Sequence, residues 1–285
     1  MRESGYTNRE MLQFVARMQA KDGSKQNRLG WLDDSLRTSE ESDVVFFVGC
    51  LPFADKLFGG VVETGLLEIA RSAIRLLNAV GVEPNVMKAE VCCGVDFHLL
   101  GERPTFESLC AQNVDNLKKA KAKTILTACS DGAYMLGQYA ALGFDHGCEV
   151  MHVAEYAASR LSGESFAPGA AILPSALVGP TGATEPLDTS KMESLLGPNT
   201  HNLASLAGRP IDILAGGWLP TNAAARNRLD GLLNTAVEAG CERVVTTCPR
   251  CFLSLRYAQR ATSWQQSYIL VQDLTVALAR LVGGR

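Results

Sequence analysis

Six of the nine cysteines in this chain stand where thiols can do metal or redox chemistry. Cys92 and Cys93 are adjacent and are followed by Gly94. Neighbouring cysteines bridge each other only with strain, whereas together they can offer two thiolates to one metal centre. Cys50 ends the run Val44-Val45-Phe46-Phe47-Val48-Gly49, and Cys129 ends Thr124-Ile125-Leu126-Thr127-Ala128. Short apolar runs of β-branched and aromatic residues predict buried strands. In an open α/β sheet the carboxyl ends of the strands border the ligand crevice. Cys50, Cys92, Cys93 and Cys129 are therefore expected to converge on one site. Four thiolates are the usual ligand number of an iron–sulfur cluster and also of zinc. Zinc sites usually come from paired Cys-x-x-Cys knuckles in short loops, whereas these ligands come from three strand ends, which favours a cluster.

Cys248-Pro249-Arg250-Cys251 is a second thiol pair. Two thiolates do not complete a site. The pair is a remnant, a redox dithiol, or half of a zinc or cluster site with a third ligand such as Cys241. Cys110 falls inside a helical pattern and is expected in the core, and Cys148 is expected to be a half-buried thiol. His98, just after the cysteine pair, and His152, after the strand-like Glu149-Val150-Met151, are the candidate catalytic residues. Each could donate a proton or orient a ligand of the site.

The pattern that must position these residues is strand, helix, strand, helix. Strands are expected at 44–49, 84–91 and 124–128, and helices at 61–79, 105–120 and 131–142. The second half reads similarly, with strand candidates at 170–173, 176–178, 211–214, 243–247 and 269–271. Its helices are expected at 221–239, 252–261 and 273–282. Thr127-Ala128-Cys129-Ser130-Asp131-Gly132 can be laid over Thr246-Thr247-Cys248-Pro249-Arg250-Cys251. The fold class is therefore α/β: two pseudo-symmetric, Rossmann-like parallel-sheet units from an internal duplication, at 43–160 and 165–285. Residues 1–42 precede them as a helix, with Met11, Leu12, Phe14, Val15 and Met18 on one face, and a linker anchored by Trp31.

Composition narrows the class. A hydrophobic share of 47%, a charged share of 20% and a net charge of −3 describe a folded protein without a nucleic-acid-binding surface. No window reaches the roughly 18 apolar residues of a membrane span. The N-terminus has no apolar signal core, so a cytoplasmic location is expected. An odd number of cysteines that includes an adjacent pair argues for metal ligation over a disulfide framework.

A lone cysteine after an apolar strand, then Cys-Cys-Gly, then Cys-x-x-Cys, given twice, resembles the cysteine-rich CCG domain found in the B subunit of heterodisulfide reductase and its relatives. The resemblance covers roughly residues 28–282. It implies that five cysteines of a full motif hold a non-cubane 4Fe–4S cluster. It also implies that two such clusters cleave a heterodisulfide with electrons passed from a flavoprotein through a ferredoxin-like protein. Cys50, Cys92, Cys93 and Cys129 match the first motif, with Gly132 in place of its last cysteine. In the second motif Thr181 takes the place of the first cysteine and Leu214-Ala215 that of the pair, leaving Cys248 and Cys251.

What the resemblance implies is one 4Fe–4S cluster, cubane or non-cubane, in the first half, with zinc as an alternative at Cys248 and Cys251. It implies part of an oxidoreductase that acts on a small-molecule or protein-bound disulfide, thiol or persulfide, in sulfur metabolism. An A-type flavin subunit, together with a C-type ferredoxin-like iron–sulfur subunit, would go with it as partners. The alternatives are a non-catalytic one-cluster relay or assembly subunit, and a structural zinc protein. On the cluster reading, loss of Cys92 or Cys93 should remove the iron and loss of Cys248 should remove little of it.

Overall fold

The computed structural model describes residues 27–161, 218–220, 222–260 and 269–282 continuously, with residues 10, 13, 14, 18, 175–178, 196 and 199–203 besides. The expected strands at 170–173 and 211–214, together with Thr181 and Leu214-Ala215, lie outside the described residues.

Two parallel sheets form the frame. The first has the order β1 (Val44–Phe47), β2 (Thr124–Thr127), β3 (Glu149–His152). Register pairs Val44 with Thr124 and Thr127 with His152, so the three strands end level. The second sheet has the order β5 (Thr200–Asn202), β4 (Ser175–Val178), β6 (Arg243–Thr246), β7 (Leu270–Asp273), all parallel. The α/β class holds. Among the described residues the sheets have three and four strands. Cys129 (φ −136°, ψ 115°) and Cys248 (φ −135°, ψ 125°) have the same backbone conformation between strand and helix.

The strand period of two explains how β1 is buried on both faces. Val45 and Phe47 enter one apolar cluster, with Phe106, Leu109 and Leu117 of the long helix that follows. Phe46 and Val48 enter another, which runs on to Trp218, Leu229, Phe252 and Leu253 of the second half. Helix α1 (Leu51–Phe58) follows Cys50, with Pro52 in its first turn where a missing N–H costs nothing. The sequence pattern predicts only a loop here. Helix α2 (Leu66–Ala79) starts five residues later than expected, because Gly65 takes a left-handed φ of 65° ahead of it. Trp31 is buried edge-on against Phe46, as its role of anchor requires. In the N-terminal helix, Phe14 and Met18 are exposed on this chain.

The expected strand at 84–91 is a loop. A single bridge joins Val45 and Asn85, after which the chain leaves the sheet. The reason lies in α4 (Arg103–Lys119), reached after the short α3 (Val95–Leu99). Asn113 accepts from Val91 N–H at 3.1 Å and donates to the Cys92 carbonyl at 2.9 Å. Asn116 donates to the Ala89 carbonyl at 2.7 Å. Side-chain amides thus satisfy backbone groups that a sheet ladder would otherwise satisfy.

Asn113 is fully buried. Asn113→Ala is expected to lose about 1–3 kcal/mol for each backbone group left unpaired, read as a lower urea midpoint of the whole chain. Asn116→Ala, at the exposed end, should cost well under half as much.

Candidate metal centre

Each cysteine of the site occupies a position that its element dictates. Cys50 is the residue before α1, Cys129 the residue before α5 (Ser130–Gln138), and Cys248 the residue before α8 (Pro249–Gln259). Here α6 is Val153–Ala158 and α7 is Ala223–Glu238, and α9 (Leu274–Val282) ends the described chain. Cys92 and Cys93 end the loop that Asn113 pins, and Gly94 turns the chain into α3. Gly94 has φ 83°, and a Cβ there would sit 2.8 Å from the Phe106 ring, so this turn admits no side chain.

The structure places the thiols in two close pairs, one of which includes a thiol from the other sheet. Cys50 Sγ lies 3.3 Å from Cys92 Sγ. Cys129 Sγ lies 3.8 Å from Cys248 Sγ, which belongs to the other sheet. Cys50, Cys93 and Cys129 line a small pocket that is partly open to solvent, which Trp218 and Arg250 also border. Cys92 and Cys248 are buried behind it. Two of the sulfurs already accept backbone N–H bonds, Cys92 from Gly94 and Cys129 from Gly132, each at 3.3 Å. Such donors favour a sulfur that carries negative charge.

Without a cation this crowding opposes ionisation. Hydrogen bonding with Cys50 and Cys93, then burial, holds the Cys92 thiol well above its ordinary range. Hydrogen bonding with Cys248, then burial, does the same to Cys129. Cys248 is pushed the other way. Hydrogen bonding with Cys129 and Cys251, and the nearby Arg250 guanidinium, push it below the ordinary thiol range. Among the described residues no three His, Cys, Asp or Glu side chains are gathered to hold a single metal ion. The sulfurs stand instead as two close pairs around a cavity. That arrangement fits a centre with several metal atoms, which can take one close pair of thiolates at each end. The donor set of thiolates also suits iron–sulfur chemistry.

The other predicted residues are placed as follows. Cys251 is buried in the first turn of α8 and hydrogen-bonds with Cys248. Cys241 precedes β6 while Cys248 follows it. A strand rise of about 3.3 Å per residue separates them by roughly 20 Å, so Cys241 is no third ligand. Cys110 is a core thiol, pushed up to about 11 by burial. Cys148 is half-buried and bonds the Ala122 carbonyl at 3.2 Å. Neither candidate histidine borders the cavity. His98 is exposed and packs on Phe106 above a separate surface groove. His152 is fully buried, and its Nδ1 accepts from Ala154 N–H at 3.1 Å, capping α6. Burial lowers it to about 4, so it stays neutral.

Sequence reasoning missed the charges that brace the thiols. Arg250, buried, pairs with Asp96 of α3 and Asp131 of α5 and so ties the second sheet to the first. Asp131 also faces Cys248 at 3.2 Å, and burial, helped by the nearby Cys248, pushes it up to about 7. Arg28, from the linker, donates to the Gly49 carbonyl at 2.6 Å and pairs with Glu90 at 3.4 Å. Glu90 in turn accepts from Val48 N–H at 3.0 Å and Gly49 N–H at 2.6 Å. The turn that presents Cys50 is thus clamped from two directions.

Residues 44–137 match the family model of the cysteine-rich CCG domain. The chain is 37% identical over 98 residues to an uncharacterized iron–sulfur protein of Methanococcus maripaludis, covering 34% of this chain and 18% of that protein. It is 30% identical over 144 residues to the D subunit of the dihydromethanophenazine:CoB–CoM heterodisulfide reductase of Methanosarcina mazei, covering 48% of this chain and 32% of that protein. It is 26% identical over 146 residues to an EtfAB:quinone oxidoreductase of Syntrophomonas wolfei, covering 47% of this chain and 19% of that protein. The matches thus span only 18% to 32% of these relatives' own length.

Two outcomes follow from the bracing charges. Arg250→Ala leaves Asp96 and Asp131 buried without their cation and should cost about 3–5 kcal/mol, measured by urea unfolding at pH 7. Burial pushes Glu90 up to about 7 from an ordinary 4.5, against Arg28 and the two N–H donors. Folding therefore takes up a proton at Glu90 between pH 4.5 and about 7, and this contribution to stability falls as pH rises through that window. Glu90→Gln should flatten that part of the stability–pH curve, and an unchanged slope would assign it elsewhere.

Proposed function

We propose that this chain is an iron–sulfur redox subunit of a heterodisulfide reductase-like complex, exchanging electrons with a disulfide, thiol or persulfide sulfur. The observation that carries the reading is the gathering of Cys50, Cys92, Cys93 and Cys129 around one cavity at the sheet's carboxyl edge. The names of the relatives support it, since they are iron–sulfur proteins, heterodisulfide reductase subunits and a quinone oxidoreductase. Bound at these thiols, an iron–sulfur cluster supplies one-electron transfer and an iron able to take up a substrate sulfur.

The chain's own residues do the rest. Asn113 and Gly94 fix the Cys92-Cys93 turn, and Arg28 and Glu90 fix Cys50. Gly94 and Gly132 N–H groups hold negative charge on sulfur. Trp218 and Arg250 border the cavity and set what can enter. The opening to solvent gives a substrate sulfur its approach. The partners proposed are a flavin subunit, together with a ferredoxin-like iron–sulfur subunit, and the location is cytoplasmic. Among the described residues no helix is long and apolar enough to cross a membrane. The units proposed are 43–160 and 165–285, with 1–42 as the extension.

Anaerobically purified chain should carry about four iron per chain, with acid-labile sulfide to match. Cys92→Ser and Cys93→Ser should each lose most of it. Adding a small thiol to the oxidised wild type should shift its electron paramagnetic resonance spectrum. A spectrum indifferent to thiols and disulfides, with full iron, would point to an electron relay or assembly subunit instead.

A further inference from the structure

We infer that Cys248 of the second sheet supplies the thiolate that the first motif lacks at Gly132, so that the metal centre is built across both halves of the chain. This rests on the cluster reading above and extends it to a ligand that sequence order assigns to another unit, which reverses the expectation from sequence that loss of Cys248 removes little iron. Three observations carry it.

The first is the thiol pair itself. Cys129 and Cys248 approach to 3.8 Å across 119 residues of sequence. Two thiolates on one tetrahedral metal with metal–sulfur bonds of about 2.3 Å lie about 3.8 Å apart. The Cys50–Cys92 pair repeats the arrangement, one thiol bordering the cavity and one buried behind it.

The second is the seam that sets the approach. Ser130 N–H donates to the Thr247 carbonyl at 3.0 Å, and the Thr247 hydroxyl donates to Ser130 Oγ at 3.1 Å. These are the residues that follow Cys129 and precede Cys248. Arg250 locks the same two helix starts together through Asp131. The two thiols are therefore held by bonds on both sides of the contact.

The third is Gly132. Its backbone is not in the left-handed region, and a Cβ built there would lie 3.6 Å from Cys129 Sγ in ordinary contact. A cysteine side chain at 132 would thus enter the space beside Cys129 that Cys248 already serves. With glycine at 132 that space is left to the thiol from the other sheet.

The test uses the whole chain, purified anaerobically, with iron and acid-labile sulfide per chain and the visible and electron paramagnetic resonance spectra as readouts. Cys248→Ser is expected to lose more than half of the iron, as Cys129→Ser does, while Cys241→Ser keeps it. The double variant Gly132→Cys, Cys248→Ser is expected to regain the wild-type iron content, because the missing thiol returns from the first half. Wild-type iron and spectra in Cys248→Ser would overturn the inference. So would loss of iron that Gly132→Cys does not restore in a double variant with wild-type circular dichroism, since that loss would then reflect packing. If Cys92→Ser also keeps its iron, the cluster reading itself has failed, which a silent Cys248→Ser alone would not imply.

Discussion

Sulfur anions placed side by side and away from water repel one another, and this constraint governs the centre of the molecule. Cys92 and Cys129 are each held in the thiol form by a neighbouring thiol and by burial. A cationic centre reverses that balance, because coordination removes the protons and joins the sulfurs. The free energy of binding such a centre is then also free energy of folding for the loops that carry the cysteines. On the cluster reading, the fold gathers these thiols so that coordination can replace their protons.

The rest of the architecture serves that arrangement. Level strand ends in the first sheet put Cys50 and Cys129 at one edge. The Asn113 amide replaces a strand's ladder so that Cys92 and Cys93 can turn inward. Arg250 brings the second sheet's carboxyl edge against the first by pairing with two buried carboxylates from different helices. A buried ion triad of this kind is weak evidence for stability, because desolvation offsets its attraction. Its value here is positional: it fixes where Cys248 and Asp131 meet.

The sequence was legible where local pattern and burial agree. The β-branched runs before Cys50, Cys129 and Cys248 are strands, and the cysteines do cap them. The stretch 84–91 misled because Val86, Met87 and Val91 are buried like strand residues. Its backbone partners are instead the side chains of Asn113 and Asn116, some twenty residues on. Helix α1 was missed although Pro52 marks its start, because it is short and follows the strand at once. Arg28, Glu90, Asp131 and Arg250 look in sequence like solvated surface charges, and only their buried partners distinguish them. Cys248 illustrates the same limit: its neighbour is fixed by how the two sheets meet, which no spacing along the chain encodes. His98 stands close to the thiols in sequence, yet the turn of α3 directs it to the surface.

The central claim is that these thiols hold one iron–sulfur centre. Mössbauer spectroscopy of the whole chain, produced with the iron-57 isotope and kept anaerobic, tests it most directly. The account predicts iron in tetrahedral sulfur coordination only, with the parameters of one spin-coupled cluster and about four iron per chain. Protein that carries stoichiometric zinc and no iron, or iron in oxygen and nitrogen coordination, would contradict it.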